Sequence, residues 1–398
     1  MSRIPAWWLV VLAAAASVSL ALGIRQTFGL FLLPLQAEHG VSTAVLGLAV
    51  ALHNLMWGLG QPITGALADR YGAGRVVALG GILYALGLGL AAMAPGAVTL
   101  ILGIGVLTGL GVACAGTGTA LAAVARAAPA ARRGDALGLA SAGGSVGQAM
   151  MVPLAQQAIG AWGAAAALGM LALSVLLVLP VARRMEWQAP PVEKRSTTGL
   201  IGLPDLARRA LADRDFALLT GGFFACGFQL AFLTTHLPAH LVLCGLPAGL
   251  GATSLMLVGL FNVPGSWLCG RLGNHVRPEL ALGGIYLIRT IAIAIFAATT
   301  PTYLGTLIFA MVMGLIWLGT VPLTSTAIAR RFGVADMGSL YGVAFLSHQI
   351  GGFLGAGSAA MLFESTGNYD AFWPVMVVVG LLATAVNLMA RPPVRAMA

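Results

Sequence analysis

Gln61 to Gly72 reads QPITGALADRYG, and Asn262 to Gly273 reads NVPGSWLCGRLG. Each string closes a long apolar run and opens a short basic loop. Laid over one another, they match Gln61 with Asn262, Arg70 with Arg271 and Gly72 with Gly273. Phe31-Leu32-Leu33-Pro34 falls opposite Thr235-His236-Leu237-Pro238 in the same way, and that offset sets Arg25 opposite Gln229. Two parallel repeats, each half of the chain, are the pattern of a carrier whose site lies between its halves near mid-membrane.

Working outward from these strings, the apolar runs long enough to cross about 30 Å of hydrocarbon fall at 7–35, 43–67, 76–95, 97–124, 135–158, 163–184, 215–240, 249–270, 279–299, 303–329, 337–361 and 371–390. That predicts an all-α integral membrane protein with twelve spans in two pseudo-symmetric six-helix bundles. The bundles occupy 1–184 and 215–398, and a polar linker with Pro190 and Pro191 runs through 185–214. Composition agrees. Of 398 residues 59% are hydrophobic and only 8% charged, against about 25% charged in soluble proteins, and mean hydropathy is +0.93. Too few charges exist to wet a soluble surface, and the 54 glycines follow no collagen period. The first span is too long, and is followed by too many others, for a secretory signal.

The net charge of +9 is a matter of position rather than of nucleic-acid binding. Nineteen of the 21 Lys and Arg lie at the N-terminus, in alternate loops, in the linker or at the C-terminus. The intervening loops have none. This asymmetry puts both termini and the linker in the cytoplasm. The four cysteines form no CxxC pair and the six histidines no HExxH spacing, so no metal site or cofactor is expected. Gly109-Leu110-Gly111 lies inside a span with no strand before it, and no Walker motif is present, so no nucleotide site is read.

The loop after the second span, Gly65-Ala66-Leu67-Ala68-Asp69-Arg70-Tyr71-Gly72-Ala73-Gly74-Arg75, carries a resemblance. The chain as a whole resembles the major facilitator superfamily, whose pattern GxxxDRxGRR is met at Gly65, Asp69, Arg70 and Gly72. Gly65 would let helices approach closely, and Asp69 would latch one side by accepting hydrogen bonds. The plainer reading is a helix stop with solvated charges. Within the superfamily, Arg25 to Phe31 and Leu346-Ser347-His348-Gln349 look like bacterial members related to monocarboxylate transporters, with oxalate–formate-type antiporters as neighbours. Two departures stand out. Asn262 and Ser266 occupy the places where many monocarboxylate carriers have an Asp and an Arg. The fifth span also lacks the Gly-Pro antiporter motif; Gly143-Gly144 and Gly147 are present, with Pro153 elsewhere.

All twelve acidic residues lie at span ends or in loops, so the spans hold two arginines, Arg25 and Arg289, and no carboxylate. Charge at membrane depth is costly and marks function, and a solute anion is a natural partner for a guanidinium fork. Arg25 is the first candidate, since the resemblance implies that the first, fourth, seventh and tenth spans line the cavity. The alternative is an arginine held by carbonyls or amides for packing. Arg289 stands at the centre of the ninth span, which the resemblance makes peripheral; it is a further substrate candidate reaching inward beneath Tyr286, with binding of structural water or a lipid as the alternative. His53 is a further polar candidate, and Asn54, Gln61, Gln148, Gln229, Asn262 and Gln349 are amide candidates, with interhelical bonding as the plainer role of the amides. His348, mid-span, is a candidate coupling-proton carrier or a packed neutral imidazole. Trp317 is a candidate cavity aromatic or a packing residue.

The first reading is therefore a monomeric secondary transporter, not an enzyme. It would carry a small organic anion, a monocarboxylate first, across a cell membrane, the bacterial inner membrane by resemblance, with proton coupling or anion exchange. It needs no cofactor, and its partners are the solute and the lipid bilayer, with no nucleic acid. The second reading is an efflux carrier for neutral or amphipathic compounds. A membrane enzyme or sensor would need a polar cluster or an extramembrane domain of about 100 residues.

Overall fold

A computed structural model describes residues 5–129, 132–185, 203–333 and 337–391. Every regular element among them is helical. The first half holds α1 Ala6–Arg25, α2 Leu32–His39, α3 Thr43–Tyr71, α4 Ala73–Met93, α5 Ala97–Leu100, α6 Thr108–Ala115, α7 Thr117–Ala127, α8 Arg133–Val175 and α9 Val178–Arg184. The helix α10 Leu203–Ala212 follows within the linker. The second half holds α11 Arg214–Leu243, α12 Ala248–His275, α13 Pro278–Ala298, α14 Tyr303–Leu315, α15 Thr320–Phe332, α16 Met337–Thr366 and α17 Phe372–Met389. Pro190 and Pro191 lie outside the described residues.

Among the described residues, ten helical stretches are long and apolar enough to cross a bilayer. This number differs from twelve for two physical reasons. The stretch Asp135–Arg184 runs for 50 residues, yet it turns back at Gly163, where φ is +81°. Only glycine takes that conformation readily. The Glu38 carboxylate accepts the Ala164 N–H at 2.8 Å and caps the returning helix. The two expected spans, 135–158 and 163–184, are its two arms. The other stretch is α16, which is 30 residues long but carries Ser347-His348-Gln349 at its centre and is not among the ten. Apolar side chains such as Leu173, 70% exposed, cover the outside, as lipid contact permits.

Three long runs are broken near their middles. The first span ends as a regular helix at Arg25, passes through a 3-10 turn at Phe28–Phe31 and resumes as α2. Gly116 interrupts α6 and α7. Residues 316–319 interrupt α14 and α15. The last two breaks correspond in the alignment that pairs Gln61 with Asn262, so the repeat extends to backbone irregularities. Each break frees carbonyls that need donors. Ser17 Oγ donates to the Ala115 carbonyl at 2.8 Å. Arg289 donates through Nη2 to the carbonyls of Ile316 at 2.8 Å and Trp317 at 3.0 Å.

Contacts between the halves form two seams. Along α3 and α16, Gly47 faces the Ala360 methyl, Gly357 faces Ala51, Gly352 faces Asn54 and Gly58 faces Gln349. Thr43 Oγ1 donates to Glu364 Oε2 at 3.1 Å. Along α8 and α12, Gln148 Nε2 donates to the Leu255 carbonyl at 2.7 Å and Asn262 Nδ2 to Ser145 Oγ at 2.7 Å. Between the seams, Gly29 lies against the backbone of Thr234 and Thr235. Each of these contacts lies at the middle of its helices or beyond, on the side away from the termini.

On the face of the termini, Arg331 ties three helices of the second half. It donates through Nε and Nη2 to Asp213 at 2.7 and 2.9 Å, and through Nη2 to Asp215 at 2.8 Å. Asp213 also caps α11 by accepting the Phe216 N–H at 2.9 Å. Asp215 accepts the Arg391 N–H at 3.1 Å. Burial pushes the Asp213 carboxyl up, but the hydrogen bonds and charge of Arg331 and the Phe216 N–H outweigh it and hold the group below its ordinary range. A depressed carboxylate stabilises the fold above its unfolded value of about 3.9, and this contribution is lost as pH falls through the lower folded value. The apparent melting temperature of the purified protein is expected to drop below about pH 4, less steeply for Asp213→Asn. Parallel curves for the two proteins would remove Asp213 from the ledger.

Candidate functional site

The break after α1 places Arg25 in the last turn of a helix, where free carbonyls favour a cation. Its side chain is half-buried. Nη2 donates to Asn54 Oδ1 at 2.6 Å and Nη1 to Gln26 Oε1 at 3.3 Å. The guanidinium stands 5.1 Å from the Trp57 ring centroid. Its Nε is buried without a partner.

Two polar chains lead from this arginine toward the second half. On one side, Gln26 Nε2 donates to Gln148 Oε1 at 2.9 Å, and Gln148 reaches α12 through the Leu255 carbonyl. On the other, Asn54 faces Gly352, and one turn on, Trp57 meets Phe345 edge-on at 5.1 Å. Gln349 packs against Gly58, its Oε1 3.2 Å from His348 Nδ1, and its Nε2 is buried without a partner. His348 is half-buried and 4.8 Å from the Phe223 ring. Arg25 and Asn54 are joined directly, and Trp57 links them through Phe345 to His348 and Gln349, across the seam.

The remaining candidates go elsewhere. Arg289 is fully buried. Besides the two carbonyls at the α14–α15 break, it donates to Cys226 Sγ at 3.3 Å and lies 5.5 Å from the Tyr286 ring. Trp317 is 2% exposed and belongs to that same break. Asn262 donates to Ser145 and accepts both the Leu318 N–H and the Ser266 hydroxyl at 3.0 Å, so it braces the break against α8. Gln229 is fully buried and donates to the Met376 carbonyl at 3.0 Å, which ties α11 to α17.

The loop signature has a mixed outcome. A Cβ at Gly65 would meet open space, so the close helix approach expected there is absent in this conformation, because the seams lie at the opposite end of α3. Gly72, at φ +94°, ends α3. Arg70 lies over the Tyr71 ring at 5.2 Å. The side chain of Asp69 lies outside those described, and the latch expected of it with it.

Sequence reasoning passed over Gln26, Trp57, Phe345 and Phe223 as site residues. Helical spacing offered a signal for two of them. Trp57 stands three residues after Asn54, and Phe345 three before His348, each pair on one helix face.

The geometry is that of a polytopic helical membrane protein with a polar cluster where its two halves meet. The Major Facilitator Superfamily model matches residues 8–356, and the chain belongs to that family. It is a multi-pass transporter of small solutes, not an enzyme. It is 24% identical to the uncharacterized MFS-type transporter YcxA of Bacillus subtilis (strain 168), over 95% of this chain and 93% of that one. It is 28% identical to monocarboxylate transporter 13 of Bos taurus, over 92% and 85%. It is 29% identical to monocarboxylate transporter 11 of Homo sapiens, over 92% and 78%.

Proposed function

We propose that the solute is a small organic anion, a monocarboxylate first, moved by alternating access between the two halves with Arg25 as the anion anchor. The observation that carries this reading is a pair of buried donors without acceptors, Arg25 Nε and Gln349 Nε2, at the seam between the halves. The partners Arg25 does have are amide oxygens, which leave its charge uncancelled. A carboxylate supplies both the missing acceptor and the counter-charge. The relatives named monocarboxylate transporters support the same class. His348, half-buried beside Gln349, is the proposed carrier of a coupling proton; anion exchange is the alternative coupling. The carrier works as a monomer in this reading.

The test is counterflow in proteoliposomes with labelled carboxylates and uncharged analogues of equal size. Carboxylates are expected to exchange and the analogues to fail. Transport of the uncharged set alone would instead favour efflux of neutral or amphipathic compounds. That second reading draws on one observation: Asn54 and Gln26 already serve two of the three guanidinium nitrogens.

The basic loops further support a cell-membrane orientation with both termini and the linker in the cytoplasm. The seams then close the outer side, and the described conformation faces inward. A C-terminal reporter enzyme active only outside the cytoplasm is expected to stay silent; strong activity would reverse the orientation.

A further inference from the structure

Toward the termini from Gln349, one face of α16 carries Tyr341, Phe345 and His348 at helical spacing. Phe345 and His348 are nearly parallel, 5° apart in plane with centroids at 5.9 Å. Tyr341 and Phe345 lie 23° apart at 6.3 Å. All three are half-buried rather than sealed in the core. Phe223 backs them from α11, buried, at 4.8 Å from His348 and 6.0 Å from Tyr341. Among the described residues, Trp57 is the ring from the first half that reaches the stripe, and it does so at Phe345, while the Arg25 guanidinium stands 5.1 Å from the same Trp57 ring. From His348 to Tyr341 the stripe extends about 10 Å along the helix.

We propose that this stripe selects the solute's tail, and that the preferred solute is an aryl carboxylate rather than a short aliphatic acid. The inference rests on the anion reading of Arg25. A carboxylate held at Arg25 starts beside Trp57, and its tail extends along Phe345 toward Tyr341. A flat ring there stacks or meets the rings edge-on, the geometries that aromatic pairs favour. A two- or three-carbon acid occupies the polar end alone and leaves the half-buried rings uncovered. Phe345 is therefore the specificity-determining residue, because it touches Trp57, Tyr341 and His348 at once.

The experiment titrates full-length purified protein with phenylacetate, 3-phenylpropionate, acetate, propionate, lactate and uncharged phenylacetamide, following thermal stabilisation, which reports binding by mass action. The aryl acids are expected to bind at least tenfold more tightly than the aliphatic acids, a difference of about 1.4 kcal/mol. Phe345→Ala is expected to erase that preference, lowering aryl-acid affinity about tenfold. Phe345→Leu, which keeps apolar bulk, is expected to lose the aryl preference as well. Equal affinity for aryl and aliphatic acids overturns this inference and leaves the anion reading standing. Phenylacetamide binding as tightly as phenylacetate overturns both. Retention of the aryl preference in both Phe345 variants overturns the role of the stripe.

Discussion

Arg25→Ala is expected to abolish carboxylate transport while the protein still folds and purifies as a single species. The arginine is half-buried, and its partners Asn54 and Gln26 are neutral amides, so the truncation leaves no uncompensated charge. What disappears is the cation proposed to face the solute. Hydrogen bonds to charged groups contribute about 1.5–3 kcal/mol each. Losing two of them corresponds to a fall in affinity of roughly a hundredfold or more. Arg25→Lys keeps the charge but not the planar fork, and it cannot serve Asn54, Gln26 and a carboxylate with the same geometry. An intermediate loss of about tenfold is expected for it. Counterflow of a labelled carboxylate, read beside thermal unfolding curves, separates lost binding from lost folding. Full carboxylate transport by Arg25→Ala would defeat the anchor role.

Gly147→Val is expected to yield no stable, monodisperse protein, and Gly147→Ala to fold poorly and transport at least tenfold more slowly. A Cβ at Gly147 would collide with the Ser19 carbonyl oxygen and stand 2.7 Å from the Ser19 Cα, both backbone atoms. Gly143 meets Ala15 and Gly23 meets Gly147 in the same tight crossing of α1 and α8. Backbone cannot turn aside as a side chain can, so α1 itself must shift. Overpacking of this kind costs about 1–3 kcal/mol, occasionally more. Gly23 is two residues from Arg25, so the shift is carried to the guanidinium and its 2.6 Å bond to Asn54. Size-exclusion profiles and melting temperatures provide the check. A Gly147→Val protein melting like the wild type would show that the crossing relaxes at little cost.

The same crossing illustrates how far the sequence can be read. Gly143, Gly144 and Gly147 stood out as small residues in the fifth span, but small residues face lipid, a cavity or another helix with equal ease. Only the packed arrangement shows which helix lies against them. Arg25 was legible because an arginine between apolar neighbours needs an explanation wherever it points. Asn54, His348 and Gln349 were legible as polar residues at membrane depth, but not as neighbours of one another. Their encounter joins α3 to α16, which are far apart along the chain.

Arg289 and Gln229 mark the opposite limit. Both are polar residues at membrane depth, like Arg25, and hydropathy treats them alike. The structure sends Arg289 to the carbonyls of a broken helix and Gln229 to the Met376 carbonyl. The break that attracts Arg289 has no proline at 316–319 to announce it; the residues there are Ile316, Trp317, Leu318 and Gly319. Its place corresponds through the repeat to Gly116, a break that likewise only the structure shows.

Taken alone, the sequence determined the all-helical membrane class, the repeat of two halves and the presence of arginine without carboxylate in the apolar runs. Those are local properties, since the cost of burying charge or leaving a backbone group unpaired in hydrocarbon depends on the residue and its near neighbours. The tertiary structure alone decided which polar groups meet, which donors stay unpartnered and where the aromatic stripe runs. Those depend on contacts between helices distant in sequence, set by packing and the geometry of the breaks, and no local pattern of hydropathy encodes them.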